Sequence, residues 1–158
     1  MEILHCTKTD FGQIVNDIVD FWDSDRTLGI HHPMFIYEFG NTAFVIKDNE
    51  SVIAYLFGFF SQTEQAGYIH LIGVRKSYQG KGLGKLLYDN FETIAKRHGC
   101  NKLKAITTAS NQASILFHKK IGMKLLGEKN VDGINVIKDY SAPGQDRVVF
   151  EKDILSCC

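Results

Sequence analysis

Six consecutive residues, Gln79-Gly80-Lys81-Gly82-Leu83-Gly84, limit what this chain can fold into more than any other stretch. They lie where an apolar run, Tyr68-Ile69-His70-Leu71-Ile72-Gly73-Val74, hands over to a segment in which Leu83, Leu86, Leu87, Asn90, Phe91, Ile94 and Ala95 recur at helical spacing. The pattern predicts a buried strand, a glycine turn and an amphipathic helix that opens inside the glycines. The first N–H groups of such a helix have no intrahelical partner, and its aligned peptide dipoles favour negative charge at that end. Glycine lets the backbone come close to a phosphate.

Two common phosphate loops do not fit. A Walker A loop requires Ser or Thr after Gly-Lys and a glycine five positions before it, but Gly84-Lys85 is followed by Leu86 and preceded at that distance by Gln79. A dinucleotide fingerprint starting at Gly80 and Gly82 would need a third glycine where Lys85 stands. The pattern Q/R-x-x-G-x-G/A does fit, at Gln79, Gly82 and Gly84. After this helix, which Gly99 would cap, Lys102 to Thr107 reads as a strand, and Ser110 or Asn111 can cap a further helix. That second segment carries Asn111, Ser114, His118, Gly122 and Met123.

These two patterns, in this order across residues 68 to 123, resemble those of the GCN5-related N-acetyltransferase (GNAT) superfamily. One position departs, since His118 stands where the family usually has tyrosine. The resemblance implies an α/β GNAT fold. Its mixed central sheet would have antiparallel N-terminal strands, a parallel splayed pair in the middle, and helices on both faces. It also implies acetyl-CoA as donor and direct transfer to a primary amine in a ternary complex. Gln79, Gly80, Lys81, Gly82, Leu83, Gly84 and Lys85 would hold the pyrophosphate, the backbone near Ile72 and Val74 the pantetheine arm, and Asn111 and His118 would complete the cofactor site.

Two histidines are candidates for the chemistry. His118 could protonate the leaving thiolate, because an imidazole with a pKa near ~6.5 gives up a proton at neutral pH more readily than a phenol near ~10. The alternative is a surface histidine beside Lys119 and Lys120 in a last helical turn, where cations are favoured. His70 shares a strand face with Tyr68, Ile72 and Val74 and could act as a base through water, or be satisfied by hydrogen bonds within the sheet. Tyr68 stands where some lysine-acetylating relatives place a glutamate. Many members of the family accept an amine that is already neutral.

Residues 28 to 39 come from the region that lines the acceptor groove in such folds. His31, His32, Tyr37, Glu38 and Tyr68 are the candidate substrate-binding residues, with Asp132, Asp139 and Asp146 further carboxylates for a cationic amine. Neighbouring side chains in an extended loop point apart, so His31-His32 is not expected to hold a metal.

Composition narrows the remaining choices. Eighteen Lys+Arg balance eighteen Asp+Glu over 158 residues, and no basic run argues for nucleic acid. The basic residues Arg75, Lys76, Lys81 and Lys85 are instead gathered about the glycine loop, as an anionic nucleotide tail would require. The four cysteines, Cys6, Cys100, Cys157 and Cys158, show neither zinc spacing nor a disulfide framework. No apolar run suits a membrane span and no leader-like start is seen, so a cytoplasmic protein is expected. Residues 1–153 read as one domain and 154–158 as a tail.

Along the chain, Met1 to Cys6 reads as a strand, and Asp10 as the cap of a helix with Phe11, Ile14, Val15, Ile18 and Trp22 on one stripe. Residues 42–47 and 52–60 form a hairpin about Asp48-Asn49-Glu50, and 123–128 and 147–152 return as strands. The intervening Lys129 to Asp146 reads as a long loop of the kind that binds something or is disordered. The expected function is N-acetyl transfer to a small-molecule amine. A protein lysine or N-terminal acetyltransferase and a non-catalytic CoA-binding module remain alternatives, and a homodimer would be common for the fold.

Overall fold

Strand β1 (Ile3–His5) leads into helix α1 (Lys8–Asn16), whose start is fixed by a reciprocal cap. Thr7 Oγ1 accepts the Asp10 N–H at 3.1 Å, and Asp10 Oδ2 accepts the Thr7 N–H at 3.0 Å. The cap is therefore Thr7, and Asp10 is the third helical residue rather than the capping one. The single apolar stripe expected here is also broken. Asp17 leaves helical geometry (φ −98°, ψ 20°), and α2 (Ile18–Trp22) is a separate short helix ending at Asp23 with φ 58°. Ile14, Ile18 and Phe21 are buried, while Val19 is exposed.

These coordinates come from a computed structural model that describes residues 1–155; Cys157 and Cys158 lie outside the described residues. The backbone divides into two units, residues 1–59 with 69–94, and residues 60–68 with those from 95 on. The first unit continues through α3 (Met34–Tyr37), β2 (Ala43–Asp48), β3 (Ser51–Phe60), β4 (Ala66–Val74) and α4 (Leu83–Arg97), with strand order β1-β2-β3-β4. The β2–β3 hairpin closes with Asp48 opposite Ser51 about Asn49, which has φ 52°. Its core gathers Cys6, Ile14, Phe21, Phe35, Val45, Val52, Tyr55, Phe57 and Leu71. Burying aliphatic and aromatic side chains of this size stabilises by roughly 1.5–3 kcal/mol each.

In the second unit β5 (Lys102–Thr107) is the parallel neighbour of β4 in the strand order. Helix α5 (Gln112–Lys120) follows, then β6 (Lys124–Leu125), β7 (Glu128–Lys129), β8 (Asn135–Ala142) and β9 (Gln145–Asp153). Strand β9 pairs antiparallel with β5 from Lys102↔Asp153 to Thr107↔Val148, and also with β6 and β8. The segment 129–146 is thus no loop. It contributes most of a hairpin that turns at Pro143-Gly144, where proline presets the first turn residue and Gly144 (φ 75°) the second. Strand β8 escapes a reading by hydropathy because Lys138, Asp139, Tyr140 and Ser141 are all exposed, so the register is set by the turn. Ile154, read as the start of a tail, is buried and donates its N–H to the Asn101 carbonyl at 3.0 Å. Among the described residues no helix is long and apolar enough to cross a membrane.

Candidate functional site

The glycine loop takes a conformation that glycine alone adopts without strain. Gly80 has φ 76° and Gly82 φ 79°, both left-handed. The Leu86 N–H donates to the Gly82 carbonyl at 3.0 Å, so the N–H groups of the preceding turn face out of the end of the fifteen-residue helix α4. Leu83 is buried and pins this end to the core. A Cβ built on Gly80 or Gly82 would meet no atom within 4 Å, so the space above the loop is open. Outward amides, an aligned helix dipole and open space over paired glycines fit a diphosphate.

The charges around the loop differ from the sequence expectation. Arg75 and Lys76 do not face it. Arg75 bridges Asp17 at 2.9 Å and Asp20 at 2.8 Å, and Lys76 pairs with Asp23 at 2.7 Å. The break between α1 and α2, which sequence periodicity missed, is what offers Arg75 these carboxylates. Lys81 and Lys85 stay beside the loop, with Lys81 4.6 Å from the centre of the Tyr78 ring and Lys85 2.5 Å from Asp89. Gln79 turns its amide away from the loop opening and donates to the Val74 carbonyl at 3.2 Å. That bond occupies part of the Val74 backbone expected to meet the pantetheine arm; Ile72 lies two residues earlier on β4.

The histidines of the first unit form a layered group. His70 stacks on Phe35 (centroids 5.0 Å, 19°), and Phe35 stacks on the exposed His32 (6.5 Å, 23°). Burial, with smaller contributions from His32 and His31, pushes the pKa of His70 down to about 4. His31 is buried and fully committed. Its Nδ1 lies 2.7 Å from the Thr27 carbonyl and its Nε2 2.6 Å from the Tyr55 hydroxyl. A carbonyl can only accept, so Nδ1 carries the proton and Nε2 accepts from Tyr55, whose oxygen also receives Trp22 Nε1–H at 2.6 Å. His31 is therefore a satisfied core histidine and its pKa is lowered by burial, rather than a lining residue free for substrate. Tyr37 and Glu38 are exposed, and the Lys8 ammonium lies 4.7 Å from the centre of the Tyr37 ring. The Trp22–Tyr55–His31 chain escaped the sequence reading because its members lie 24 and 33 residues apart and follow no local spacing.

In the second unit Asn111 caps α5, its Oδ1 accepting the Ser114 N–H at 3.1 Å. His118 is buried, lies face to face on Phe150 (4.2 Å, 10°), and donates Nδ1–H to the Ser114 carbonyl at 2.7 Å. Burial pushes its pKa down to about 4, against the smaller upward pull of the Ser114 bond. At neutral pH it is uncharged and its one ring proton is held within its own helix. The sequence expectation of a proton donor assumed an ordinary imidazole at a helix end; the structure places His118 in a packed, buried setting instead. Tyr68 is also buried, and burial together with its Tyr140 contact pushes the phenol pKa up. Asp139 and Asp146 are spent on the hairpin turn, where Asp139 accepts the Gly144 N–H and Asp146 accepts the Asp139 N–H. Glu64 pairs with Lys104 at 2.8 Å.

Comparison with known proteins bears directly on these features. Residues 12–123 match the family model described as the acetyltransferase (GNAT) family. The chain is 28% identical over 120 residues to the L-2,4-diaminobutyric acid acetyltransferase of Marinococcus halophilus, covering 70% of this chain and 68% of that relative. It is 36% identical over 62 residues to N-alpha-acetyltransferase 60 of Drosophila melanogaster, which is 37% of this chain but 22% of that relative. In structure it resembles an aminoglycoside 6'-N-acetyltransferase complexed with coenzyme A, with a TM-score of 0.70 over 100% of this chain and 99% of that one, at 12% identity. At that identity the likeness is one of fold.

Proposed function

The chain belongs to the GNAT family of acetyltransferases, and from that membership we propose that it transfers the acetyl group of acetyl-CoA to a primary amine of a small molecule. It is an acetyl-CoA-dependent acyltransferase. The observation that carries the donor half is the loop: two left-handed glycines with nothing above them at the mouth of α4. Acetyl-CoA supplies an activated thioester. The amides from Gly80 to Lys85 would hold its diphosphate, with the ammonium groups of Lys81 and Lys85 beside them, and the β4 backbone at Ile72 and Val74 would meet the pantetheine arm.

In the transfer itself an amine nitrogen bonds to the acetyl carbon, the carbon–sulfur bond breaks, and the sulfur takes up a proton. The amine must arrive neutral or lose a proton on the way. His70, with a pKa near 4, is neutral at pH 7 but too weak a base to strip an ordinary ammonium. We therefore assign deprotonation to the amine's own equilibrium with solvent, and His70 to the packed wall formed with Phe35 and His32.

A second reading is a protein N-terminal α-amine. The segment shared with an N-alpha-acetyltransferase favours it. So does chemistry, because an α-amine with a pKa of about 7.7–8.0 is neutral far more often at pH 7 than a lysine at about 10.4.

Release of free thiol from acetyl-CoA separates the two. The panel is 2,4-diaminobutyrate, polyamines, an aminoglycoside, and one peptide with a free or a blocked N-terminus. Turnover with the small amines at least tenfold above the peptides supports the first reading. Turnover confined to the free N-terminus supports the second.

A further inference from the structure

Nothing packs above Gly80 or Gly82, so the shape of the glycine loop has to be fixed from its root. The root is Arg75, the first residue after β4. Its backbone N–H donates to the Ile53 carbonyl at 2.8 Å and its Nε to the Val52 carbonyl at 3.0 Å. Its two terminal nitrogens reach different carboxylates, Nη1 to Asp20 at 2.8 Å and Nη2 to Asp17 at 2.9 Å, and the guanidinium lies 4.8 Å from the centre of the Phe21 ring. The side chain is 14% exposed, while the carboxylates that it meets, Asp17 and Asp20, are 40% and 63% exposed.

From this root the backbone is tied again. The Tyr78 N–H donates to the Arg75 carbonyl at 2.8 Å, the Tyr78 hydroxyl to Asp48 at 2.6 Å, and the Gln79 amide reaches back to Val74. Only after Gln79 does the chain run free into the two glycines.

We infer that Arg75 is a positioning residue for the coenzyme: through Asp17, Asp20 and Val52 it holds the base of the glycine loop, so that affinity for the diphosphate depends on two carboxylates that never touch it. This rests on the reading of the loop as the diphosphate site. An arginine is required because its planar fork serves three acceptors at once, whereas a lysine presents a single ammonium. Asp17, between α1 and α2, makes no side-chain cap bond to α2, and Asp20, in the first turn of α2, is 63% exposed, so replacing either carboxylate by an amide removes no buried contact of these helices. The neighbouring Lys76–Asp23 pair is exposed on both sides, 72% and 69%, and is a control of the same chemistry without the root position.

The test compares the wild type with Arg75→Met, Arg75→Lys, the double variant Asp17→Asn/Asp20→Asn, and Asp23→Asn. Calorimetry gives the Kd for CoA, and kinetics give kcat/KM for acetyl-CoA and for S-acetylpantetheine, which lacks the diphosphate. Arg75→Met and the double aspartate variant should weaken CoA about tenfold, the scale of losing one charge-assisted hydrogen bond. Arg75→Lys should fall between, and Asp23→Asn should stay within about twofold. The preference for acetyl-CoA over S-acetylpantetheine should fall by the same factor as the affinity, because only the diphosphate contact is disturbed. Equal losses on both donors, or unchanged affinity in the double aspartate variant, would overturn the inference. Failure of the wild type to bind CoA would overturn the reading of the loop itself, and this inference with it.

Discussion

The Tyr55 ring occupies the place that a side chain on Gly73 would need: a Cβ built there falls 2.6 Å from Cε1 and 2.9 Å from the hydroxyl oxygen. The ring cannot swing aside cheaply, because its hydroxyl is held by Trp22 and by His31. Gly73 stands between Ile72 and Val74, whose backbone we assign to the pantetheine arm. Gly73→Ala should therefore displace β4, destabilise by about 1–3 kcal/mol as other overpacked sites do, and lower kcat/KM for acetyl-CoA. Tyr55→Phe keeps the ring but orphans Trp22 Nε1 and His31 Nε2, at a cost of about 1–3 kcal/mol. Urea denaturation of both variants checks this; Gly73→Ala at wild-type stability and activity would contradict it.

Stability should fall on mild acidification. His118 and His70 are pushed down to about 4 and His31 is lowered as well, in each case mainly by burial. The unfolded chain titrates them near 6.5. Between those values the unfolded state binds more protons than the folded state, so the stabilisation is complete above about pH 6.5 and drains away as pH falls towards 4. The urea midpoint at pH 5 should lie below that at pH 7, and His118→Phe, which keeps a ring against Phe150, should flatten the difference. A midpoint that is constant or higher at pH 5 would show that the histidines are not buried neutral.

The rate should follow the acceptor rather than an enzyme imidazole. With His70 and His118 both near 4, no group of theirs titrates between pH 6 and 7. kcat/KM should rise about tenfold per pH unit up to the pKa of the amine itself, as the neutral fraction does. Acceptors of different pKa measured in parallel should shift the profile accordingly. An inflection between pH 6 and 7 that disappears in His70→Phe would restore a histidine base.

Gly127 is the most demanding glycine of the second unit. With φ 86°, a Cβ there would fall 2.1 Å from the Val136 carbonyl oxygen, and backbone on backbone offers no rotamer to relieve the clash. Gly127→Ala should part β7 from β8, which pair at Glu128↔Val136, and cost more than about 2 kcal/mol. Limited proteolysis should then cut between residues 127 and 136; an alanine variant as resistant as the wild type would contradict this.

The strand, glycine loop and helix from Tyr68 to Ala95 were legible in sequence because each rests on local chemistry: an apolar run, left-handed glycines and helical periodicity. Asn111 as cap and the β2–β3 hairpin were legible for the same reason. What sequence missed depends on partners far away along the chain. The basic residues Arg75 and Lys76 look like phosphate ligands until Asp17, Asp20 and Asp23 are brought to them. His118 looks like an exposed imidazole until Phe150 covers it and the Ser114 carbonyl accepts its Nδ1–H. Strand β8 looks like a loop because its side chains are polar, and its register comes from the Pro143-Gly144 turn and the Asp139 bond to Gly144. The surroundings of titratable groups were the least legible, since burial shapes their chemistry and spacing does not reveal burial.

The central proposition is that left-handed glycines at the mouth of α4 bind the diphosphate of the coenzyme, and calorimetric titration of CoA into the wild type and Gly82→Ala tests it most directly. Gly82 has open space for a methyl group but a φ of 79°, so alanine would strain the loop by about 1–2 kcal/mol without a clash. Saturable binding to the wild type, weakened about tenfold by that single methyl group, is the expected result. No binding to the wild type, or identical affinity in the two proteins, would contradict it.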